Sequence, residues 1–215
     1  MNKNKFLEIV KPITMTSKER IDCLYDSLEY IRTNNIDGDF VECGVWKGGN
    51  ILGIMEYLNY HKMYDRKVWA YDTFLGMTEP ESVDIDLNGN SAKSMLEHIM
   101  CISTIDEFKK NIENTKFPVD NLKIIIGDIC ETLKNKNNIP DKISLLRLDT
   151  DWYKSTKIEL EMLYPNLKND GILIVDDYGH WSGSKKAVNE YFENKKINIS
   201  HIDYTGIKII KNESI

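Results

Sequence analysis

The chain has 215 residues with 41% hydrophobic content, enough for one domain with a sizeable core. Its formal net charge of -6 and pI near 5.3 exclude the basic stripe with which nucleic-acid-binding domains neutralise phosphates. Cys23, Cys43, Cys101 and Cys130 are widely spaced with no C-x-x-C pair, the pattern of reduced thiols. Met1 to Lys11 lacks the apolar core of a signal peptide, and no run of about 18 apolar residues occurs, so a cytoplasmic protein without membrane insertion is expected.

In chain order, Thr16-Ser17-Lys18-Glu19 offers a Thr-x-x-Glu capping box. Ile21, Leu24, Tyr25, Leu28 and Ile31 follow at helical spacing, predicting a helix over about 16–33. Residues 34–38 break that pattern, and Asp39-Phe40-Val41-Glu42-Cys43 reads as a short strand running into Gly44. The run Glu42-Cys43-Gly44-Val45-Trp46-Lys47-Gly48-Gly49-Asn50 is then strand, glycine turn and helix start, with Ile51, Leu52, Met55 and Leu58 as the helix's buried face. Glycines at 44, 48 and 49 let backbone N–H groups and a helix N-terminus approach a ligand closely. The second glycine stands at 48 rather than 46, so this is not the G-x-G-x-x-G of a pyrophosphate site, and a ligand without pyrophosphate is favoured. Glu42 is read as a contact of that ligand, the other reading being a cap of the adjacent helix.

Val68-Trp69-Ala70-Tyr71 is a second strand, ending in Asp72, whose carboxylate is placed to accept both hydroxyls of a ribose. From 76 to 103 periodicity is lost, with Pro80, Gly89 and several acids along the way. Connections of this length are usually lids or disordered, and a lid near the site, with a short helix inside 91–100, is expected. Thr104-Ile105-Asp106-Glu107 opens a further capping box and a helix over about 104–115. Strands follow at 122–126, leading to Gly127-Asp128, and at 143–148, leading to Asp149. A helix over about 155–164 is stopped by Pro165, and a strand at 172–175 precedes a helix at 184–192. The alternation predicts a largely parallel sheet flanked by helices, and the runs 197–204 and 206–210 suit a closing antiparallel pair.

Two apolar runs end in acids: Leu145-Leu146-Arg147-Leu148-Asp149-Thr150-Asp151-Trp152 and Ile172-Leu173-Ile174-Val175-Asp176-Asp177-Tyr178. The carboxyl ends of parallel strands share one edge, outside which ligands bind. Asp149, Asp151, Asp176 and Asp177 are therefore expected to face one another as an active site. An Asp-Asp pair is ordinarily a solvated turn; its position after an apolar strand singles this one out. His180 is a candidate substrate contact or alternative base. Trp152, Tyr153, Tyr178 and Trp181 suit either stacking walls for a sugar or plain packing.

A glycine-rich first loop, an acid after the second strand and seven strands whose last pair turns antiparallel resemble the class I methyltransferases, which bind S-adenosylmethionine. Within that class, Asp39-Phe40-Val41-Glu42-Cys43-Gly44-Val45-Trp46-Lys47-Gly48-Gly49, Tyr71-Asp72-Thr73-Phe74-Leu75-Gly76-Met77, Leu148-Asp149-Thr150-Asp151-Trp152-Tyr153-Lys154-Ser155-Thr156 and Val175-Asp176-Asp177-Tyr178-Gly179 are similar to the TylF, or macrocin, O-methyltransferase family. The likeness covers nearly the whole chain.

The resemblance implies a Rossmann-like α/β fold, with a mostly parallel seven-stranded sheet, helices on both faces and an antiparallel last strand. It implies one methyltransferase domain over 1–215, with 1–36 a helical extension and 77–103 an active-site lid. The implied activity is magnesium-dependent transfer of a methyl group from S-adenosylmethionine to a sugar hydroxyl of a small-molecule acceptor, by a homo-oligomer. Cofactor contacts are implied at Glu42, Gly44, Val45, Gly48, Gly49, Asn50, Asp72, Thr73, Phe74, Asp128 and Asp149. Asp149, Asp176 and Asp177 match metal ligands and Asp151 the general base. Three carboxylates suit a hard ion such as Mg2+ and leave coordination positions for substrate hydroxyls. Thr78, where the family commonly has proline, and Gly127-Asp128-Ile129, in place of a more aromatic segment, depart from its pattern. Competing readings are a catechol-type O-methyltransferase, a nicotinamide-dependent oxidoreductase, which the missing pyrophosphate fingerprint disfavours, and a non-catalytic cofactor-binding protein.

Overall fold

Seven strands form one sheet: β1 (Asp39–Cys43), β2 (Val68–Asp72), β3 (Leu122–Ile126), β4 (Ile143–Leu148), β5 (Leu167–Val175), β6 (Ile199–His201) and β7 (Ile207–Ile210). The computed structural model describes residues 1–212, so the domain expected over 1–215 reaches past them only at 213–215. The strand order is β3-β2-β1-β4-β5-β7-β6. The pairs β2–β3, β1–β2, β1–β4 and β4–β5 are parallel, and β7 runs antiparallel to both β5 and β6. This is the largely parallel sheet that the alternation of elements predicts, with the seven strands and antiparallel last strand that the resemblance implies.

The helices are α1 (Lys3–Val10), α2 (Lys18–Thr33), α3 (Gly49–Tyr60), α4 (Ala92–Met95), α5 (Ile105–Ile112), α6 (Ile129–Thr132), α7 (Tyr153–Met162) and α8 (Ser182–Tyr191). Side chains alternate across a strand, and both faces of the parallel strands are covered. Phe40, Leu145 and Ile174 pack with Leu24 and Leu28 of α2, Ile54 and Leu58 of α3 and Phe108 of α5. Val41, Leu146, Leu148 and Val175 face the other way, onto Leu160 of α7 and Val188 of α8. Among the described residues no helix is long and apolar enough to cross a membrane.

Strand order reverses between β1 and β4, so their following loops part there and open a crevice at the carboxyl edge. Backbone pairing runs one residue beyond the strands: Gly44 N donates to Tyr71 O at 2.8 Å, Asp149 N to Cys43 O at 2.9 Å and Asp176 N to Leu148 O at 2.9 Å. Asp72, Gly44, Asp149 and Asp176 are thereby set side by side along one edge. Gly44 has φ +79, and a Cβ there would collide with the Asp149 carbonyl oxygen, so the closest approach of the two diverging loops requires glycine.

The first 36 residues are more than an extension. The short helix α1, capped by the Asn2 side chain, buries Phe6 and Val10 against α3. They fill the space over Gly53, where any Cβ would strike Val10 and Phe6. Gly53→Val is therefore expected to destabilise the chain by about 1–3 kcal/mol through overpacking, read as a lowered thermal midpoint. An unchanged midpoint would mean that α1 does not dock in solution.

Candidate active site

Strand register places a charge in the core. Glu42 on β1 pairs with Arg147 on β4, and both point to the face covered by α2 and α3. The Arg147 side chain is only 2% exposed and Glu42 1%. Arg147 Nη1 donates to Glu42 Oε1 at 2.7 Å and to Asp149 Oδ2 at 2.6 Å; Nη2 donates to Asp176 Oδ1 and, at 3.4 Å, to Thr16 Oγ1. Burial works against the guanidinium's charge, but Asp149, Asp176 and Glu42 around it hold it protonated, its pKa raised. Arg20 of α2 pairs with the other oxygen of Asp176 and, at 3.0 Å, with Asp203.

A cleft of about 210 Å³ opens above this network, lined by Glu42, Gly44, Val45, Asn50 and Asp72 on the glycine-loop side and by Asp149, Asp151, Asp176 and Asp177 on the other. A smaller cavity of about 60 Å³, bounded by Tyr71, Thr73, Gly127 and Ile129, shares Gly44, Asp72 and Asp149 with it. Asp149, Asp151 and Asp177 each bring a carboxylate oxygen to within 4.8 Å of the others. Among the described residues, buried Glu42 Oε2, Asn50 Oδ1 and Asp177 Oδ2 have no hydrogen-bond partner. Unmatched buried acceptors in an acid-rich cleft are suited to cationic ligands.

The four strand-end acids do converge, though not on equal terms. Asp176 gives both oxygens to arginines, while Asp151 takes a place beside Asp149 and Asp177. Asp72 is oriented by three backbone donors, Val45 N at 2.8 Å and Trp46 N at 2.9 Å on Oδ2 and Phe74 N at 2.8 Å on Oδ1, and it lines both cavities. Thr73 lines the smaller cavity and hydrogen-bonds Gly76 O at 2.6 Å.

Four residues expected at the cofactor line neither cavity. Gly48 lies against Phe108 and Gly49 against the Ile13 carbonyl, so their missing side chains admit neighbouring protein. Phe74 is 6% exposed and packs edge-on against Phe108 at 5.3 Å. Asp128 accepts from Cys130 N at 2.8 Å and caps α6. His180 also lies outside both cavities, its ring edge-on to Trp181 at 4.8 Å.

Sequence reasoning missed Arg147, Arg20, Thr14, Thr16, Trp46 and Cys101, all in the network or the cleft. Arg147 carried a signal: one cation inside the apolar run Ile143–Leu148 demands buried acceptors. Arg20 and Thr16 had none, because chain folding alone brings α2 across the sheet edge. From the segment 77–103, Cys101 borders the larger cavity and Thr78 the smaller. Asp84, fully buried, accepts from Tyr153 N at 2.8 Å and caps α7 from outside its own sequence.

Burial first, then the charge of Asp149, pushes the Asp151 carboxyl up to about 7, and burial and Asp151 raise Asp177 as well. A carboxyl raised above its ordinary 3.8 holds its proton more tightly in the folded chain. The stability it adds is complete below that value and is lost as pH rises through about 7. In a divalent-ion-free buffer, wild type should lose thermal stability from about pH 4 to about pH 7 relative to the Asp151→Asn/Asp177→Asn double variant. Parallel pH profiles of the two proteins would contradict the raised Asp151 and Asp177 carboxyls.

The family model for macrocin-O-methyltransferase (TylF) matches residues 10–211. The chain is 31% identical over 178 residues, 83% of its length and 67% of the relative's, to demethyldecarbamoylnovobiocin O-methyltransferase of Streptomyces niveus. It is 32% identical over 198 residues, 90% of its length and 74% of the relative's, to 8-demethyl-8-(2,3-dimethoxy-alpha-L-rhamnosyl)-tetracenomycin-C 4'-O-methyltransferase of Streptomyces olivaceus. The solved structure of the O-methyltransferase NovP aligns with a TM-score of 0.82 at 28% identity, covering 94% of this chain and 83% of that one. With the sheet order, the glycine turn and the strand-end acids, these matches show that the chain belongs to the TylF macrocin-O-methyltransferase family, as an S-adenosylmethionine-dependent O-methyltransferase.

Proposed function

We propose that the chain methylates a hydroxyl of a sugar carried on a small-molecule acceptor, such as a nucleotide-activated sugar, a glycan precursor or a glycosylated metabolite, and that it does so with Mg2+. The observation that carries this reading is the meeting of Asp149, Asp151 and Asp177 beside the glycine turn, with Asp177 Oδ2 unmatched. The sugar-modifying names of the relatives support the acceptor class.

S-adenosylmethionine supplies an electrophilic methyl on a sulfonium, so the protein's part is to align and to take a proton. Glu42 Oε2 and Asn50 Oδ1 are buried acceptors that suit the cofactor's ammonium. Asp72, held by three backbone donors, suits the ribose hydroxyls, and the smaller cavity suits the base. Gly44 and Val45 border the reacting end, and Thr14, Thr16 and Trp46 line the same cleft.

The donor set fits a hard divalent ion: carboxylates only, in excess of the nearby arginines, one with a free buried oxygen. Asp149, Asp176 and Asp177 would hold it, Asp176 by exchanging Arg20 for the ion. Bound there, Mg2+ would supply Lewis-acid polarisation of an acceptor hydroxyl. Asp151, the carboxylate of the cluster left over by that ligand set, accepts the hydroxyl proton.

A mass-spectrometric screen of nucleotide sugars, glycosylated metabolites and catechols, run with Mg2+ and with EDTA, tests reaction, acceptor and metal together. Methyl gain on a sugar, abolished by EDTA, is expected; catechol-only products would reassign the acceptor, and EDTA-resistant turnover would remove the metal. Asp151→Asn should lower kcat by about 10²–10⁴-fold while Mg2+ affinity measured by calorimetry is retained. Arg20→Gln should tighten Mg2+ binding by about tenfold, since it removes a cation from Asp176. Weaker Mg2+ binding in that variant would contradict the exchange.

A further inference from the structure

We propose that Trp181 is a positioning residue for Asp151 and that the segment 77–100 is the clamp that holds Trp181 in place. The inference rests on Asp151 being the proton acceptor proposed above.

Asp151 sits in a strained backbone. Its φ is +65, and Trp152 N donates to Thr150 O at 2.8 Å across it, closing a three-residue turn rarely adopted by a non-glycine residue. Such a turn aims the side chain but does not fix its rotation. Trp181 Nε1 donates to Asp151 Oδ2 at 3.1 Å, and the indole is 4% exposed. A buried indole N–H needs an acceptor, and here it takes a carboxylate of the acid cluster rather than a backbone carbonyl.

The neighbouring tryptophan shows the contrast. Trp152 Nε1 donates to Thr78 O at 2.9 Å, tying the chain after Asp151 to the start of the segment. The two indoles meet edge-to-face at 5.0 Å, and Met77, Ala92, Leu96 and Ile99 pack against them. Their burial answers the question of sugar-stacking walls: neither Trp152 nor Trp181 presents a face to the cleft.

Asp84 locks this arrangement. Besides Tyr153 N it accepts from Glu81 N at 2.7 Å, so one buried carboxylate joins the segment to the first turn of α7. Ile85 N donates to Ser182 Oγ at 3.0 Å and Ser182 N to Ile85 O at 2.9 Å, joining it to the first turn of α8 beside Trp181. Any Cβ on Gly183 would collide with Asp84 Oδ1, so the seat is shaped for this carboxylate. The segment expected as a lid is thus fastened to the residues that follow both acid clusters, and its load reaches Asp151 through one N–H.

Trp181→Phe keeps the ring and removes the donor. It should lower kcat about ten- to a hundredfold while the KM for S-adenosylmethionine and the thermal midpoint stay near wild type. A purely structural role would instead move the midpoint and leave kcat per folded molecule unchanged. The chain has four tryptophans, so four indole N–H signals are expected in a 15N–1H spectrum of the whole protein. With signals assigned by triple resonance, that of Trp181 should shift strongly in Asp151→Ala, and those of Trp46 and Trp69 should not. This arm leaves Trp181 in place and decides the matter even where the phenylalanine variant does not fold. An unmoved Trp181 signal, or wild-type kcat in Trp181→Phe alongside a dead Asp151→Ala, overturns the positioning role alone. Wild-type turnover in Asp151→Ala overturns the base assignment on which it rests.

Discussion

One buried guanidinium organises the site. Arg147 uses all four Nη hydrogens, spanning Glu42 on the cofactor side and Asp149 and Asp176 on the acid side. Only arginine has a planar fork that reaches several acceptors at once; a lysine is a single point of charge. Without that charge the acids would be left buried and unpaired, a loss of about 3–5 kcal/mol in comparable cases. The network is therefore better understood as a scaffold for a negatively charged cleft than as a source of stability. The Arg147 charge offsets part of the burial that raises the Glu42 and Asp176 carboxyls, and the cleft still holds more acids than arginines.

The layout separates tasks along the sheet edge. β1 and β2 end in the glycine turn and Asp72, which suit the methyl donor; β4 and β5 end in the acids, which suit the acceptor. The reversal of strand order puts these halves together at the mouth of a single crevice. The N-terminal residues complete it. Thr16 reaches Arg147 and Arg20 reaches Asp176, so the segment ahead of the sheet is bonded to the centre of the site.

Strand positions were the most legible part of the sequence. Residues 39–43, 122–126 and 143–148 are strands as expected, because their apolar runs are bounded by turn residues. Helix starts were less so, for reasons that lie outside local sequence. Thr16 looks like a cap, yet Ser17 caps α2 by accepting from Arg20 N, and Thr16 serves the Arg147 network instead. α7 begins at Tyr153 rather than near Ser155 because its cap, Asp84, comes from a distant segment. β5 begins at Leu167, with four residues of polar and glycine sequence and a register shift before the apolar run expected at 172. The strand-end acids were legible because carboxylates following apolar strands carry a positional meaning. What each carboxylate touches was not, since Arg20 reaches Asp176 only once α2 has packed across the sheet.

Gly44 also acts as a spacer between two chemistries. Its backbone lies directly against the Asp149 carbonyl, so the donor half and the acceptor half of the cleft are separated by one layer of main chain with no side chain between them. Methyl transfer works only when the reacting atoms approach within about 3–3.5 Å, and a misplacement of about 1 Å can cost roughly 10²-fold in rate. A side chain at residue 44 would force these two peptide units apart, so the spacing between the two halves of the cleft is set by main chain alone.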